Sequence, residues 1–307
     1  MAVIEPMEVD TTATLVDPAK APKRASRGRL IWLRLKSTPR FWIGVTVVVL
    51  MMLWAIIGLW FTHWNPTDQD LINSRTGPSS SHFFGTDDIG QDIYAETVVG
   101  LRKSLAIGLI AGPLSTLISA FVGSFAGYVG GKADSVISWF INLLLVVPAF
   151  FLLVLISPLL KDKAWIALIF FIAAFTWMVM AQVIRAQTKS LRDRDFVKAA
   201  RFMGVDTFTI LRRHIIPNVA SLLIIDATLG VVYAIIAETS LSYFGFGIQP
   251  PQVSLGTLLA DGSSAATTRP WAFVFPAGAL ILFLFAVSLI GDALRDAVDP
   301  TSGATRD

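Results

Sequence analysis

Long apolar runs without charge recur along this sequence, and they restrict its fold more than any other feature. A helix needs about 20 predominantly apolar residues to cross a bilayer, and it satisfies its backbone hydrogen bonds within one segment. Six runs meet this requirement: 41–62, 104–130, 136–160, 164–184, 219–237 and 271–290. Only the fifth contains a charged residue, Asp226. The sequence therefore predicts an all-α membrane protein with six transmembrane helices.

The composition agrees with this class of protein. Charged residues make up 15% of the 307 residues and hydrophobic residues 54%, whereas soluble domains contain about 25% charged residues. The chain has no cysteine, which excludes disulfides as well as thiol ligands and nucleophiles.

The positions of Lys and Arg predict the orientation in the membrane. Six crossings place both termini on one side, and cytoplasmic loops carry an excess of basic residues. If the basic N-terminal region is inside, cytoplasmic segments hold 19 of the 25 Lys and Arg residues, and eight of these lie between 185 and 213. We therefore expect both termini to be cytoplasmic.

This topology divides the chain into three regions. Residues 1–40 are predicted to be a disordered tail that ends in a basic segment on the lipid surface, because apolar residues alternate with Lys and Arg before the first crossing. No contact with nucleic acid is expected. Residues 41–295 form the transmembrane domain, which includes a cytoplasmic loop at 188–217. Residues 296–307 are a cytoplasmic tail.

A polar stretch at 195–218 interrupts the apolar second half of the chain. Residues 195–203 are predicted to form a short amphipathic helix with Arg194, Lys198 and Arg201 on its basic face. The opposite face is expected to gather the apolar side chains, which are Phe196, Ala199, Ala200 and Met203.

Capping residues predict where this helix and the next one end and begin. Gly204 is a predicted left-handed C-cap, and Asp206 is a predicted N-cap. A second short helix would follow, with apolar residues at helical spacing at Phe208, Leu211 and Ile215. Pro217 is expected to start the next element. From these residues alone, the stretch is either a docking site for a protein or a helix resting on lipid headgroups.

Small residues and prolines within the runs predict how the helices pack. Gly108 with Gly112, and Gly123 with Gly127, are small-xxx-small pairs that allow close helix approach. Prolines at 113, 148 and 276 predict kinks. Residues 92–102, which precede the second run, are expected to form an interfacial helix.

Sequence signals of enzymatic chemistry are absent. The nearest approach to a Walker A phosphate loop, at Gly131 and Lys132, lacks the first glycine and the final Ser or Thr. The three histidines lie far apart in sequence, and no Ser-His-Asp arrangement is evident. We expect a non-catalytic chain without a cofactor or a metal.

Two acidic residues within or beside the apolar runs are candidates for a role in transport. A charge in the membrane is costly and usually faces protein or water. Asp226 is interpreted either as a hydrogen-bonded packing residue or as a carboxylate that lines a translocation path. Glu238 lies near the outer surface and is expected to cap or brace the loop that follows it.

The polar stretch resembles the cytoplasmic EAA loop of ABC importer permeases. That pattern contains E-A-A, three residues, G, a nine-residue gap and an apolar pair ending in proline. Ala199, Ala200, Gly204 and Pro217 match it in register, while Lys198 stands where the family usually has glutamate. His214 precedes the apolar pair as in the peptide-importer variant of the motif.

Three further segments resemble the C-type permease of dipeptide and oligopeptide importers. Residues 85–108 resemble its GTD-x-x-G-R-D segment, with Gln91 in place of the usual arginine. Residues 237–256 are similar to its outer loop and residues 291–300 to its C-terminal ending. Within the outer loop, the resemblance points to Glu238, Gly245, Gly247 and Pro250.

This resemblance implies a type I importer half-channel in a bacterial inner membrane. Its expected partners are a second permease, two cytoplasmic ATPase subunits and an extracytoplasmic peptide-binding protein. The residues expected to couple to the ATPase are Lys198, Ala199, Ala200, Arg201, Gly204, Asp206, His214 and Pro217.

Other functions stay open at this stage. Permeases for nickel and other small solutes share these motifs. A proton-coupled secondary transporter that uses Asp226 and Glu238 is a different class, although one chain with six crossings shows no obvious internal repeat. A membrane anchor or sensor without transport is a third class.

Overall fold

The computed structural model describes residues 27–156 and 164–298, and within these ranges every regular element is a helix apart from an isolated bridge between Thr86 and Asp92. The helices are α1 (Arg27–Lys36), α2 (Pro39–Ile57), α3 (Ile93–Val129), α4 (Gly131–Val146), α5 (Ala149–Ile156), α6 (Ala164–Arg192), α7 (Asp195–Phe202), α8 (Thr207–Ile210), α9 (Ile216–Tyr243), α10 (Leu255–Ser264) and α11 (Pro270–Val298).

Five of these helical segments are long and apolar enough to cross a membrane. They are Pro39–Phe61, Ile93–Val129, Trp165–Arg192, Thr207–Tyr243 and Pro270–Val298. Each contains or closely matches one of the predicted runs.

The third predicted run, 136–160, forms two helices instead of one. α4 and α5 are separated at Val147 and Pro148, because the residue before a proline is driven into an extended conformation. The run ends beyond residue 156, outside the described residues. The sixth crossing therefore stays a prediction.

Two predicted helices do not exist as separate elements. Residues 92–102 are the first turns of α3, which begins where the Asp92 carboxylate accepts a hydrogen bond from the Ala95 amide. The predicted second cytoplasmic helix, α8, continues through a π-helical turn (Leu211–Ile215) into α9. Pro217 lies in the first turn of α9, directly after this π turn, and the helix continues through it although proline has no amide hydrogen to donate.

α3 lies at the centre of the bundle, between α6 and α9. A Cβ atom at Gly112 would lie only 2.5 Å from the Val231 backbone nitrogen of α9, and one at Gly127 only 2.6 Å from the Arg185 carbonyl oxygen of α6. Both predicted glycine pairs thus serve close packing, since each member meets one of these two helices.

α2 and α11 pack side by side along one flank of the bundle. The start of α2 meets the end of α11, where Arg40 and Asp296 form an ion pair with a 2.9 Å separation. Arg34 of α1 donates to the Ala297 carbonyl oxygen nearby, at 3.4 Å. α2 and α11 are therefore antiparallel, with these two ends on the same side.

Several sequence predictions fall outside the described residues. They concern the tail at 1–26, the end of the third run with Lys161 and Lys163, and the last nine residues, 299–307.

Replacing Gly112 with valine should destabilise the bundle, because the new side chain would meet the backbone of α9. Overpacking of this kind costs about 1–3 kcal/mol. We expect a lower thermal unfolding midpoint for the purified protein in detergent. Gly278→Val is the matched control, since Gly278 is also helical and has no atom within 4 Å of its Cβ position. Equal midpoints for the two variants would contradict the close approach.

Candidate functional site

α7 ends in a fully formed Schellman motif around Gly204. The Gly204 amide donates to the Arg201 carbonyl oxygen, and the Val205 amide donates to that of Ala200. Gly204 has a φ of +76°, in the left-handed region that favours glycine. The predicted C-cap is confirmed, and it fixes the angle at which the chain leaves α7.

The buried face of α7 differs from the predicted one. Val197 and Ala200 are buried, whereas Phe196 and Met203 are 44% and 76% exposed. The two buried side chains pack against the α8–α9 junction, in a cluster with Ile210, Leu211, Ile215, Tyr128, Leu191 and Val205. The prediction of one apolar face was wrong because α7 packs against protein through its small side chains and leaves its large ones outside.

The exposed surface of α7 and α8 combines large apolar and basic side chains. We call it the coupling surface; its members are Phe196, Lys198, Arg201, Phe202, Met203 and Phe208. Phe202 is the most exposed of the apolar members, at 90%. Ala199, Gly204 and Pro217 are also exposed. A surface of this composition suits a protein groove that offers apolar walls and acidic side chains.

Both ends of the coupling surface are fixed to membrane helices. The Asp206 carboxylate accepts a hydrogen bond from the Thr209 amide at 2.9 Å and so caps α8, as predicted. Hydrogen bonds from the hydroxyl and from the amide of Thr209 hold the pKa of Asp206 below its usual value. From α8 the helix runs without a break to Tyr243. His214, in the π turn, lies against the ring of Phe196.

The other end of the coupling surface follows α6, which extends to Arg192. Residues 188–192, predicted to belong to the cytoplasmic loop, are thus the last turn of a membrane helix. Asp134 of α4 forms ion pairs with Arg185 and with Lys189, the latter at 2.7 Å. These contacts hold the end of α6 against α4.

Asp226 joins α9 to α3 in the middle of the bundle. Its carboxylate accepts a 2.6 Å hydrogen bond from the hydroxyl of the buried Thr116. It also lines a groove of about 680 Å³ between α6, α9 and α11, where Arg295 is another lining residue. The geometry is compatible with both interpretations of Asp226, since the residue has a packing partner and an open side.

Glu238 is fully buried and braces the loop between α9 and α10. Ser104 and Ser242 donate their hydroxyl hydrogens to the two carboxylate oxygens, at 3.0 and 2.8 Å. The same hydroxyls accept from the amides of Leu255 and Ile248, at 3.4 and 3.1 Å. The carboxylate therefore holds two points of the loop through two serines.

The other predicted outer-loop residues shape the same segment. Gly245, with a φ of +79°, closes a second Schellman motif at the end of α9. Gly247 is buried against the backbone of Ser242, which leaves no room for a Cβ atom. Pro250 is exposed and lines a pocket shared with the loop before α3.

The segment that starts at Gly85 forms a folded turn before α3. Asp87 accepts hydrogen bonds from the amides of Ile89 and Gln91, and Asp92 caps α3 while it also bonds the buried His82 at 2.8 Å. In the sequence His82 stands as an isolated histidine, because its partner Asp92 lies ten residues away.

Glu96 was also missed by the sequence analysis. It is buried in the first turns of α3, in a stretch interpreted as an interfacial helix, and it lines the pocket near Pro250. Its only sequence signal is its position four residues after Asp92, on the same helix face.

Across residues 27–156 and 164–298, no group of three or more His, Asp or Glu side chains is arranged to hold a metal ion. The candidate site residues therefore lie in two places, which are the exposed surface of α7 and α8 and the braced loop after α9.

Comparison with known families gives two matches along this chain. Residues 119–302 match the family described as "binding-protein-dependent transport system inner membrane component", and residues 26–78 match the "N-terminal TM domain of oligopeptide transport permease C". The first match covers α6 to α11 and thus contains the coupling surface, Asp226 and Glu238.

Individual relatives carry related names. The oligopeptide transport system permease protein OppC of Mycobacterium bovis is 50% identical over 230 residues, which cover 75% of this chain and 79% of the relative. The OppC proteins of Bacillus subtilis and Haemophilus influenzae are 35% and 36% identical, over 91% and 89% of this chain and 93% and 89% of their own lengths.

Proposed function

Because this chain belongs to the binding-protein-dependent transport system inner membrane components, we propose that it is the permease subunit of an ATP-driven importer of dipeptides or oligopeptides. It is a non-catalytic, multi-pass protein of the bacterial inner membrane with a type I permease fold. The observation that carries this function is the coupling surface, an exposed apolar and basic patch fixed rigidly to two membrane helices.

The energy for transport comes from partner proteins in this proposal. Two cytoplasmic ATPase subunits bind the coupling surfaces of this chain and of a second, similar permease, and the two permeases enclose the channel. An extracytoplasmic binding protein delivers the peptide. Lipid covers the apolar flanks, where Ile56, Ile281 and Phe285 are each more than 60% exposed.

The structure of the coupling surface supports a mechanical role. A displacement at α7 reaches the membrane only if the connections are stiff, because a flexible connection would absorb it. Here the Schellman motif at Gly204, the Asp206 cap and the buried contacts of Val197 and Ala200 all restrict α7. A helix resting on lipid headgroups would need none of these restraints.

The same observations favour ATP-driven import over a proton-coupled transporter. The Glu238 carboxylate accepts hydrogen bonds from two serine hydroxyls that support a loop. It lines neither the groove at Asp226 nor the pocket near Pro250. The relatives that we compared are named as oligopeptide permeases, which favours peptides over nickel or another small solute.

The proposed topology has six crossings with both termini in the cytoplasm. The antiparallel contact between the start of α2 and the end of α11 supports it, because Arg40 and Asp296 then face the same side. The coupling surface lies on that side, and the loop between α2 and α3 lies outside.

Single-cysteine labelling tests this topology, since the chain has no native cysteine. A membrane-impermeant maleimide should label Gln69→Cys and Lys161→Cys in intact spheroplasts. It should label Thr207→Cys only after permeabilisation. Labelling of position 207 from outside would overturn the orientation, and protection of position 161 would remove the sixth crossing.

Replacing Gly204 with valine should weaken coupling to the ATPase, because a β-branched residue is strained at positive φ by about 1–2 kcal/mol. Gly204→Asn is the matched control, since asparagine tolerates this conformation. In proteoliposomes that contain the full complex, we expect ATP-dependent tripeptide uptake by the wild type. The valine variant should lose ATPase co-purification and most peptide-stimulated ATP hydrolysis, and the asparagine variant should retain both.

A wild-type complex without ATP-dependent uptake would refute the proposed function. Normal coupling in the valine variant would refute only the role of the Gly204 turn.

The role of Asp226 is testable with an isosteric change. We propose that Asp226 is a helix contact, so Asp226→Asn should keep the hydrogen bond from Thr116 and leave the pH profile of uptake unchanged. Thr116→Val removes the donor and should lower the thermal midpoint of the complex. If Asp226→Asn instead shifts the pH profile or changes peptide selectivity, the carboxylate belongs to the translocation path.

A further inference from the structure

A pocket of about 630 Å³ lies between the loop before α3, the N-terminal turns of α3, and α10. Its volume is within the range of about 300–1,000 Å³ that is typical of small-molecule sites. Apolar residues from three segments form much of its wall: Ile89, Pro250, Pro251, Val253 and Leu258. The proposed topology places this pocket on the outer side of the membrane.

Glu96 gives this pocket its chemical character. The side chain is 5% exposed and lines the pocket. Within the described part of the chain, its carboxylate has neither a hydrogen bond nor an ion pair, and the nearby charges that act on it are those of Asp87, Asp261 and Asp92, all negative. A buried carboxylate is normally paired, because an isolated charge away from water is strongly unfavourable.

The remaining charges of the pocket do not balance Glu96. Arg269 is a lining residue, but its guanidinium bonds Asp88 at 2.8 Å. Arg75 bonds the same carboxylate, also at 2.8 Å. The carboxylates of Asp87 and Asp261 form no ion pair with a described lining residue, and the charge of Arg269 acts on Asp87 only at longer range.

The two aspartates outside the membrane helices both have a raised pKa, and burial is the main cause for each. Burial raises the pKa of Asp87. Burial, followed by repulsion from Asp87 and Asp88, raises the pKa of Asp261. A cation in the pocket would favour the ionised form of both groups.

The shape of the site favours an organic cation over a metal ion. The described residues contain no metal-ligating group of three or more acidic or histidine side chains. The apolar wall suits the methylene chain of an alkyl amine, and a buried carboxylate suits its charged end.

We propose that this pocket binds an alkyl ammonium or guanidinium group, with Glu96 as the buried counter-ion and Asp261 at the exposed mouth. The group is carried either by a basic side chain of the transported peptide or by a Lys or Arg of the binding protein. These two sources of the cation rest on the proposed function, whereas the binding of a cation by Glu96 does not.

Agmatine, a guanidinium with an alkyl amine chain, is the probe, and uncharged butylurea is its neutral counterpart. Binding is measured by calorimetry on the purified complex in nanodiscs. We expect the wild type to bind agmatine and not butylurea. Glu96→Gln should weaken agmatine binding at least about tenfold, since the amide can still accept a hydrogen bond but no longer carries the negative charge that pairs with the guanidinium.

Two more variants make the test specific. Gln91 lines the pocket. Gln91→Arg would place a guanidinium of the chain itself in the pocket, and it should abolish agmatine binding because the site is then occupied. Asp68→Asn removes a charge from the same loop at a residue that does not line the pocket, and it should leave binding unchanged. Co-purification of the ATPase subunits confirms that each variant is folded.

Equal agmatine binding by the wild type and Glu96→Gln, or equal binding of agmatine and butylurea, would overturn the proposal. Failure of the proposed function gives a different pattern. If the wild-type complex imports no peptide but binds agmatine through Glu96, the proposed function fails and the proposal for the pocket stands.

Transport measurements then identify the source of the cation. If the peptide supplies it, Glu96→Gln should reduce uptake of Lys-Ala-Ala and leave that of Ala-Ala-Ala unchanged. If the binding protein supplies it, the variant should weaken docking of the loaded binding protein equally with either peptide. Either result supports the proposal.

Discussion

The close contact of α3 with α6 and α9 is the constraint on which the rest of this structure depends. Lipid offers no hydrophobic driving force between helices, so close backbone packing must supply much of the association. The glycines of α3 make that approach possible, since a Cβ atom at Gly112 or Gly127 would meet the backbone of a neighbour. Because α6 leads into α7 and α9 follows α8, this contact also fixes both ends of the coupling surface relative to α3.

The two ends of the bundle use their polar residues for the same purpose. At the end that carries the coupling surface, Asp134 holds α6 and Asp206 caps α8. At the other end, Glu238 supports a loop through Ser104 and Ser242. In each case a carboxylate positions a neighbouring helix or loop, which agrees with a chain that moves a solute without chemical conversion. Glu96 is the exception, since no described residue of this chain satisfies it.

The sequence predicted those features that depend on local rules. The lengths of the apolar runs predicted five of the membrane helices, and the preference of glycine for left-handed backbone predicted that α7 ends at Gly204. It failed where a neighbour in space decides the outcome. Val197 rather than Phe196 is buried because the α8–α9 junction receives the small face of α7. Glu96 was overlooked because Asp261, its neighbour across the pocket, is far away in sequence.

The continuous helix from Thr207 to Tyr243 connects features at opposite ends of the bundle. Its 37 residues span about 55 Å at 1.5 Å per residue, far more than the hydrocarbon core of about 30 Å. One end of this helix bears Phe208 of the coupling surface, and Glu238 lies close to the other end. The π turn at Leu211–Ile215 lies near Phe208, so the described departure of this helix from α-helical geometry is beside the coupling surface and not beside Glu238.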